Sequence, residues 1–206
     1  MSTHLRNTLP ARRDKTIFMN SSHLISRALF FVFVLTSSLF ATTLICPAEP
    51  SEKQTKLNGG YYLLHQLGDD ESQLPLLLDL KHAPPELSTY ADQISKMGKE
   101  TMKTIEGFQD HDTALQFDRN PLPAIEQNTR DSIKDDKQHQ LLFGTSNSEF
   151  VRALVVSQIE ATTYATNLCK VLADQESDPG RAKTLTRLAT KWLNLRNKAF
   201  GILRNY

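Results

Sequence analysis

The sequence predicts an all-α protein, an up-and-down four-helix bundle that follows an N-terminal signal or anchor segment. Three observations support this prediction. Residues 28–46 form an apolar run of 19 residues without a charge. Later segments place apolar residues three and four positions apart, which is the spacing of an amphipathic helix. No stretch after residue 48 alternates apolar and polar side chains, as a half-buried strand would.

Residues 1–48 are predicted to be an export signal or a membrane anchor. Five basic side chains and one acidic side chain flank an apolar segment that is followed by small residues, a pattern typical of export signals. Met19 offers a second possible translation start. Cleavage after Ala48, lipid attachment at Cys46 and an uncleaved anchor at residues 28–46 are the three alternatives for processing. Each would place residues 49–206 outside the cytoplasm, in the periplasm or cell envelope.

Residues 49–206 form the predicted helical domain. They carry 19 basic and 22 acidic side chains, and this mild acidity argues against nucleic acid or an anionic membrane as a partner. Membrane contact is therefore predicted only through an uncleaved N-terminal segment. Cys169 is the single cysteine of this domain, so no intramolecular disulfide can form within it.

The first two predicted helices span residues 60–80 and 85–108. The first is expected to be kinked or broken near Pro75, because proline cannot donate the backbone hydrogen bond of a helix interior. The second opens at Pro84-Pro85, and Gly98 in its interior indicates the close approach of a neighbouring helix. Its predicted inward face consists of Leu87, Ala91, Ile94, Gly98, Thr101, Ile105 and Phe108.

A polar loop over residues 109–121 precedes the third predicted helix, residues 122–143. The middle of this helix is charged and polar, so one side must face water. Its predicted core residues are Ile125, Ile133, Leu142 and Phe143.

The fourth predicted helix opens with a capping box of Ser146 and Glu149 and ends near Gln175. Between residues 153 and 169 only Glu160 is charged, which predicts that this helix is the most buried. The predicted seam is Phe150, Leu154, Ser157, Ala161, Tyr164 and Leu168, widened by Val151, Val155, Ile159 and Leu172.

The last predicted helix starts at the cap Asp178 and at Pro179. Its heptad seam, centred on Trp192 as core anchor, is Leu185, Leu188, Trp192, Leu195, Ala199, Ile202 and Tyr206. The basic residues off this seam are expected to be solvated: Arg181, Lys183, Arg187, Lys191, Arg196 and Lys198.

Two short motifs suggest a family. One contains Phe150, Arg152, Ala153, Gln158, Ile159 and Ala161, and the other contains Pro85, Glu86, Leu87, Tyr90, Ala91 and Ile94. On these residues, the chain from about Tyr61 to Tyr206 resembles a family of exported bacterial proteins with a ferritin-like four-helix bundle and no established activity. The resemblance implies the same fold. The histidines of the family's motifs are replaced here by Thr162 and Gly98, so no role of those histidines carries over.

Candidate metal ligands are few. Ferritin-like metal sites use Glu-x-x-His pairs on facing helices, and no glutamate of this domain has a histidine three positions later. The pairs Asp79–His82 and Asp136–His139 have that spacing, but we interpret them as solvated. The triplet Asp110-His111-Asp112 is a weak candidate for a divalent cation.

Two further residues merit attention. Glu160 lies in an apolar helix, where a carboxylate is either paired or functional. We interpret Glu160 as an ion-paired or edge residue, and Cys169 as a small buried hydrophobe without a neighbouring histidine in sequence. The sequence therefore predicts an exported, non-catalytic bundle that acts through its surface and has no catalytic, cofactor or metal residues. The alternative is a ferritin-like metal-binding or redox bundle, which would need ligands converging on Glu160.

Overall fold

The computed structural model describes residues 51–79, 83–143 and 147–206. Within these ranges the chain is helical and contains no strand, which confirms the all-α class. The helices are α1 (Glu52–Ser72), α2 (Leu74–Asp79), α3 (Pro85–His111), α4 (Ala124–Phe143), α5 (Asn147–Gln175) and α6 (Pro179–Leu203). The predicted signal or anchor at residues 1–48, with Cys46, lies outside the described residues, and so does Ser146 of the predicted capping box. No helix in the described ranges is both long enough and apolar enough to span a membrane.

Four long helices surround the core. Helix α5 packs along α6 and α1 packs along α3, while α1 also contacts α5 and α3 also contacts α6. Helix α2 packs on α3, and α4 lies at the periphery, where it contacts α5 over a short stretch. The largest fully buried side chains come from the four long helices: Trp192, Tyr61, Phe150, Leu64, Leu87 and Ile94.

Helix α1 begins earlier than predicted. It starts at Glu52 rather than near residue 60, because Ser51 caps it by accepting a hydrogen bond from the Gln54 amide at 3.2 Å. The predicted break is present, although the chain leaves the helix at Gln73 and not at the proline. Pro75 lies in the first turn of α2, where its missing N–H would have no helical partner.

The inward face predicted for α3 is confirmed from Leu87 to Ile105, while Phe108 is only partly buried, and the close approach predicted at Gly98 is confirmed as well. A Cβ atom on Gly98 would lie 2.4 Å from the Gly68 carbonyl oxygen and 3.0 Å from the Ser72 amide nitrogen. A Cβ on Gly68 would lie 2.9 Å from the Gly98 carbonyl oxygen. The α1 and α3 backbones therefore touch at a crossing that only glycine allows.

We expect Gly98→Ala to destabilise the protein, because the clash is with backbone that cannot move without separating the two helices. The overpacking penalty of about 1–3 kcal/mol should exceed the gain of about 1 kcal/mol in helix propensity. Gly107→Ala is the matched control, since it lies in the same helix with no heavy atom within 4 Å of its Cβ position. Urea unfolding followed by circular dichroism measures both variants. Equal stability of the two would contradict the crossing.

The buried face of α5 is rotated relative to the predicted seam. Phe150 and Leu154 are buried as predicted, but Ser157, Ala161 and Leu168 are only partly buried and Tyr164 is 38% exposed. Helix α5 is not buried on every side, since Val156, Tyr164 and Val171 face outward. The residues that complete the buried face are Val151, Val155, Gln158, Thr162, Ala165, Thr166, Cys169 and Leu172.

Polar side chains on this face explain the rotation. The Thr162 hydroxyl donates to the backbone carbonyl of Gln158 at 2.6 Å, and the Thr166 hydroxyl donates to the backbone carbonyl of Thr162 at 2.7 Å. A threonine whose hydroxyl is bonded within its own helix can be buried without leaving an unsatisfied donor. A search for apolar residues alone assigns such positions to the surface.

The core residues predicted for α4 are largely wrong. Ile125 is 82% exposed, Phe143 is 75% exposed and Ile133 is also exposed, while Leu142 is partly buried. Leu141 is the buried residue of this helix. Because α4 lies on the outside of the four long helices, most of its apolar side chains have no core to enter.

Helix α6 follows its prediction closely. The Asp178 side chain accepts from the Arg181 amide at 2.7 Å, and the seam from Leu185 to Ile202 is buried, with Tyr206 partly buried. Trp192 is fully buried, and its Nε1 donates to Thr101 Oγ1 at 3.2 Å.

Arg181 corrects the expectation that every base off the α6 seam is solvated. Its guanidinium donates to both Glu176 carboxylate oxygens at 2.9 Å and to Asp112 at 2.7 Å. The Tyr61 hydroxyl donates to Glu176 at 2.6 Å. This network connects α1, the end of α3, the end of α5 and the start of α6.

Candidate functional site

A cavity of about 740 Å³ lies between α1, α2, α4 and α5. Its volume falls in the range that small-molecule sites occupy, and such sites are mostly apolar with a few placed polar groups. The apolar lining comes mainly from leucines on three of these helices: Leu63, Leu67, Leu74, Leu77, Leu141 and Leu142.

Two buried polar side chains also line this cavity, Glu71 from α1 and Gln158 from α5. Glu71 is 9% exposed and Gln158 is 4% exposed. Glu71 Oε2 and Gln158 Oε1 are buried oxygens without a hydrogen-bond partner in the described part of the chain. Buried polar atoms are normally satisfied, so two unsatisfied acceptors beside one cavity are unusual.

Burial raises the pKa of Glu71 to about 7. The charge of Asp70 raises it further, while a hydrogen bond with Gln158 and the charge of Lys134 lower it. The Glu71 carboxyl therefore gains or loses its charge near neutral pH, whereas an exposed glutamate is fully ionised there.

Tyr90 on α3 is a third member of this polar cluster, although it does not line the cavity. Its hydroxyl is buried and lacks a hydrogen-bond partner among the described residues. Burial raises the pKa of Tyr90 above its ordinary value, and the negative charge of Glu71 adds to that rise. The phenol therefore stays neutral.

Ion pairs from α4 cross the outer rim of the cavity. Lys134 pairs with Asp70 of α1 at 2.6 Å, and Lys137 pairs with Glu160 of α5 at 2.5 Å. The guanidinium carbon of Arg130 lies 5.8 Å from the centre of the Tyr164 ring. Helix α4 thus forms the roof of the cavity, attached through polar contacts at its rim.

The structure gives Glu160 an ion pair at the surface. Its side chain is 59% exposed and its partner Lys137 is 46% exposed. This agrees with the interpretation of Glu160 as a paired edge residue. In the described ranges no three His, Cys, Asp or Glu side chains come together as a metal site would require.

The other candidates from the sequence do not converge. Cys169 is fully buried, as expected, and burial raises the pKa of its thiol to about 12. Asp110 and His111 are exposed, while Asp112 binds Arg181. Asp136 and His139 are exposed, and the pair Asp79–His82 cannot be assessed because His82 lies outside the described residues.

Sequence reasoning missed Glu71, the central residue of this site. It stands in the run Asp69-Asp70-Glu71, which has the composition of a solvated turn. A usable signal existed, because Glu71 follows Leu64 by seven residues and Leu57 by fourteen, and all three are buried. Gln158 and Tyr90 were both noted, but only as motif residues.

Comparison of the chain with profiles of known families, with curated proteins and with solved structures found no match. The resemblance to an exported ferritin-like family therefore stays a prediction. The candidate site is therefore identified from the cavity and the buried polar residues of this chain alone.

We expect the titration of Glu71 to make stability depend on pH. Its pKa is raised in the folded state, so the folded protein binds more protons than the unfolded chain between about pH 4 and 7. The contribution of Glu71 to stability should be greatest below this window and should fall by up to about 3 kcal/mol as the pH rises through 7.

Chemical unfolding at a series of pH values measures this dependence. Glu71→Gln should flatten the fall, while Glu160→Gln makes the same chemical change at an exposed carboxylate and should retain the wild-type slope. A wild-type slope in Glu71→Gln would mean that this carboxyl is not the titrating group.

Proposed function

We propose that this chain is an exported, non-catalytic helical-bundle protein that acts by binding, and that the cavity beneath α4 is its binding site. The observation that supports the proposal is a cavity of about 740 Å³ lined by leucines, with Glu71 and Gln158 at its wall. An apolar space with a few converging polar groups is typical of a site that holds a small molecule.

The proposed architecture is a four-helix bundle of α1, α3, α5 and α6, of the ferritin-like type, with a broken first helix and α4 as an addition at the periphery. The pairwise packing of these helices around one core supports it. The predicted export, with cleavage or anchoring near residues 28–46, completes the proposal. Cell fractionation tests it, and a chain found wholly in the cytoplasm would contradict it.

A fluorescent ligand tests the binding site. Nile red, a neutral apolar dye, should gain fluorescence with the wild-type protein. Ala161 is a partly buried lining residue of α5, so Ala161→Trp should fill the cavity and abolish the gain. Phe200→Trp adds a tryptophan on α6, away from this cavity, and should bind the dye as the wild type does. If Ala161→Trp still binds the dye, the dye binds outside the cavity beneath α4.

The ferritin-like metal or redox alternative would place two metals between the helices. Such a site draws on several carboxylates and on Glu-x-x-His pairs. Glu71 is a buried carboxylate in a suitable position, but in the described ranges no ligand group surrounds it. Metal analysis of protein purified from its own host separates the two functions, since about two irons or manganeses per chain would favour the alternative.

A further inference from the structure

We infer that the cavity beneath α4 recognises an amphipathic primary amine, with the ammonium head at Glu71 and Gln158 and the aliphatic tail among the leucines of α1, α2 and α4. This inference rests on the proposed function, because it names the ligand class of that same site. It follows from three properties of the cavity: the kind of polar atoms left unsatisfied, their charge and the shape of the apolar lining.

The two unsatisfied atoms of residues that line the cavity are both hydrogen-bond acceptors. Glu71 Oε2 and Gln158 Oε1 each lack a donor, and both residues line the cavity. A ligand that completes the site must therefore bring N–H or O–H groups. A primary ammonium has three N–H donors and a hydroxyl has one, so the ammonium alone can satisfy both oxygens from a single atom.

Charge favours the ammonium over other donors. An ionised carboxylate in an apolar wall is costly without a counterion. The nearest cation acting on Glu71, Lys134, is already paired with Asp70 at the rim. An entering ammonium would neutralise Glu71 and form charge-assisted hydrogen bonds, which are about twice as strong as neutral ones. A carboxylate ligand would instead be repelled.

The lining selects the remainder of the ligand. Leu67 of α1, Leu74 and Leu77 of α2, and Leu141 and Leu142 of α4 all line the cavity. Branched aliphatic side chains on opposing walls pack against a flexible hydrocarbon tail, which gains free energy with each CH₂ group removed from water. A hydrophilic polyamine would leave these leucines unmatched.

The pH response of binding follows from the same groups. Glu71 is faced by Asp70 on its own helix, by Lys134 of α4, by Gln158 of α5 and by Tyr90 of α3. Because the pKa of Glu71 lies at about 7, ammonium binding at lower pH must first remove a proton. Affinity for an amine should therefore fall by roughly tenfold between about pH 8 and pH 6, while affinity for an alcohol should not change.

Titration calorimetry with three probes of equal tail length tests the inference: decylamine, 1-decanol and decanoate. At about pH 8 the full-length wild-type chain should bind decylamine about tenfold more tightly than 1-decanol, and decanoate more weakly than either. Glu71→Gln keeps the shape of the side chain and removes its charge, so decylamine affinity should fall to that of 1-decanol. Binding of 1-decanol by this variant would show that its cavity is still formed.

Glu160→Gln is the matched control, since it removes a carboxylate that also lines the cavity but lies exposed at the rim. It should leave the preference for decylamine unchanged. Equal wild-type affinities for decylamine and 1-decanol would overturn the choice of an amine and leave the cavity as a binding site. A loss of preference in Glu160→Gln but not in Glu71→Gln would also overturn the inference. If no probe binds the wild type, the inference and the proposed function both fail.

Discussion

Replacing Trp192 with alanine should lower the free energy of unfolding by about 3–5 kcal/mol. Trp192 is the largest fully buried side chain and sits at the centre of the α6 seam. Truncation removes the burial of its indole and leaves a cavity. It also removes the hydrogen bond that Nε1 donates to Thr101 of α3 at 3.2 Å, so the α3–α6 contact is weakened as well.

Trp192 is the single tryptophan of the chain, so unfolding must be followed by circular dichroism rather than by fluorescence. Trp192→Phe is the informative control, because it keeps an aromatic ring but lacks the indole N–H. It should cost less than the alanine variant. If Trp192→Ala unfolds at the wild-type urea concentration, the core assignment of α6 is wrong.

Arg181→Met should cost a similar amount, about 3–5 kcal/mol, because it leaves a buried carboxylate without its cation. The Glu176 side chain is 0% exposed, whereas its Arg181 partner is 17% exposed. Burial alone would raise the pKa of Glu176, but hydrogen bonds from Arg181, Tyr61 and the Asp178 amide lower it to about 2. The ionised carboxylate is thus held inside the fold by Arg181, by the Tyr61 hydroxyl and by the backbone amides of Ser177 and Asp178.

The stability lost in Arg181→Met should decrease as the pH falls. A carboxyl whose pKa is lowered on folding stabilises the protein above its unfolded pKa, and that stabilisation is lost as the pH falls towards 2. The difference between wild type and Arg181→Met should therefore shrink between about pH 5 and pH 2.

Two variants serve as controls for Arg181→Met. Lys191→Met breaks the exposed pair with Glu100 and should cost less than about 1 kcal/mol. Adding Glu176→Gln to Arg181→Met removes the stranded charge, so the double variant should be more stable than Arg181→Met alone. A double variant that is less stable would mean that charge burial is not the cause.

The elements that were predictable from sequence are those in which apolar spacing and capping agree. In α6 the cap Asp178, the following proline and an uninterrupted heptad seam specify both the start and the buried face. In α3, Gly98 indicated a helix crossing before any partner was known. Both features depend on residues close together in sequence, and hydrophobic periodicity predicts such local structure well.

The sequence could not show which neighbouring helices would pack against each helix face. The apolar residues of α4 suggested a core face, but Ile125, Ile133 and Phe143 are exposed, and Leu141 is the one that the fold buries. The buried face of α5 includes Thr162, whose hydroxyl is bonded within its own helix, and Gln158, whose Oε1 has no partner among the described residues. Glu71 reads as part of an acidic run, and only the packing of α4 and α5 around it makes it an interior carboxyl.

The attachment of α4 has a dynamic consequence. One buried leucine and a few rim pairs hold this helix, so it can detach at a free-energy cost well below that of global unfolding. Its amide protons should exchange with solvent faster than those of α6. Because salt screens the rim pairs, added salt should speed that exchange and shorten the time a ligand takes to enter or leave. Ionic strength should therefore control how readily a ligand reaches the cavity beneath α4.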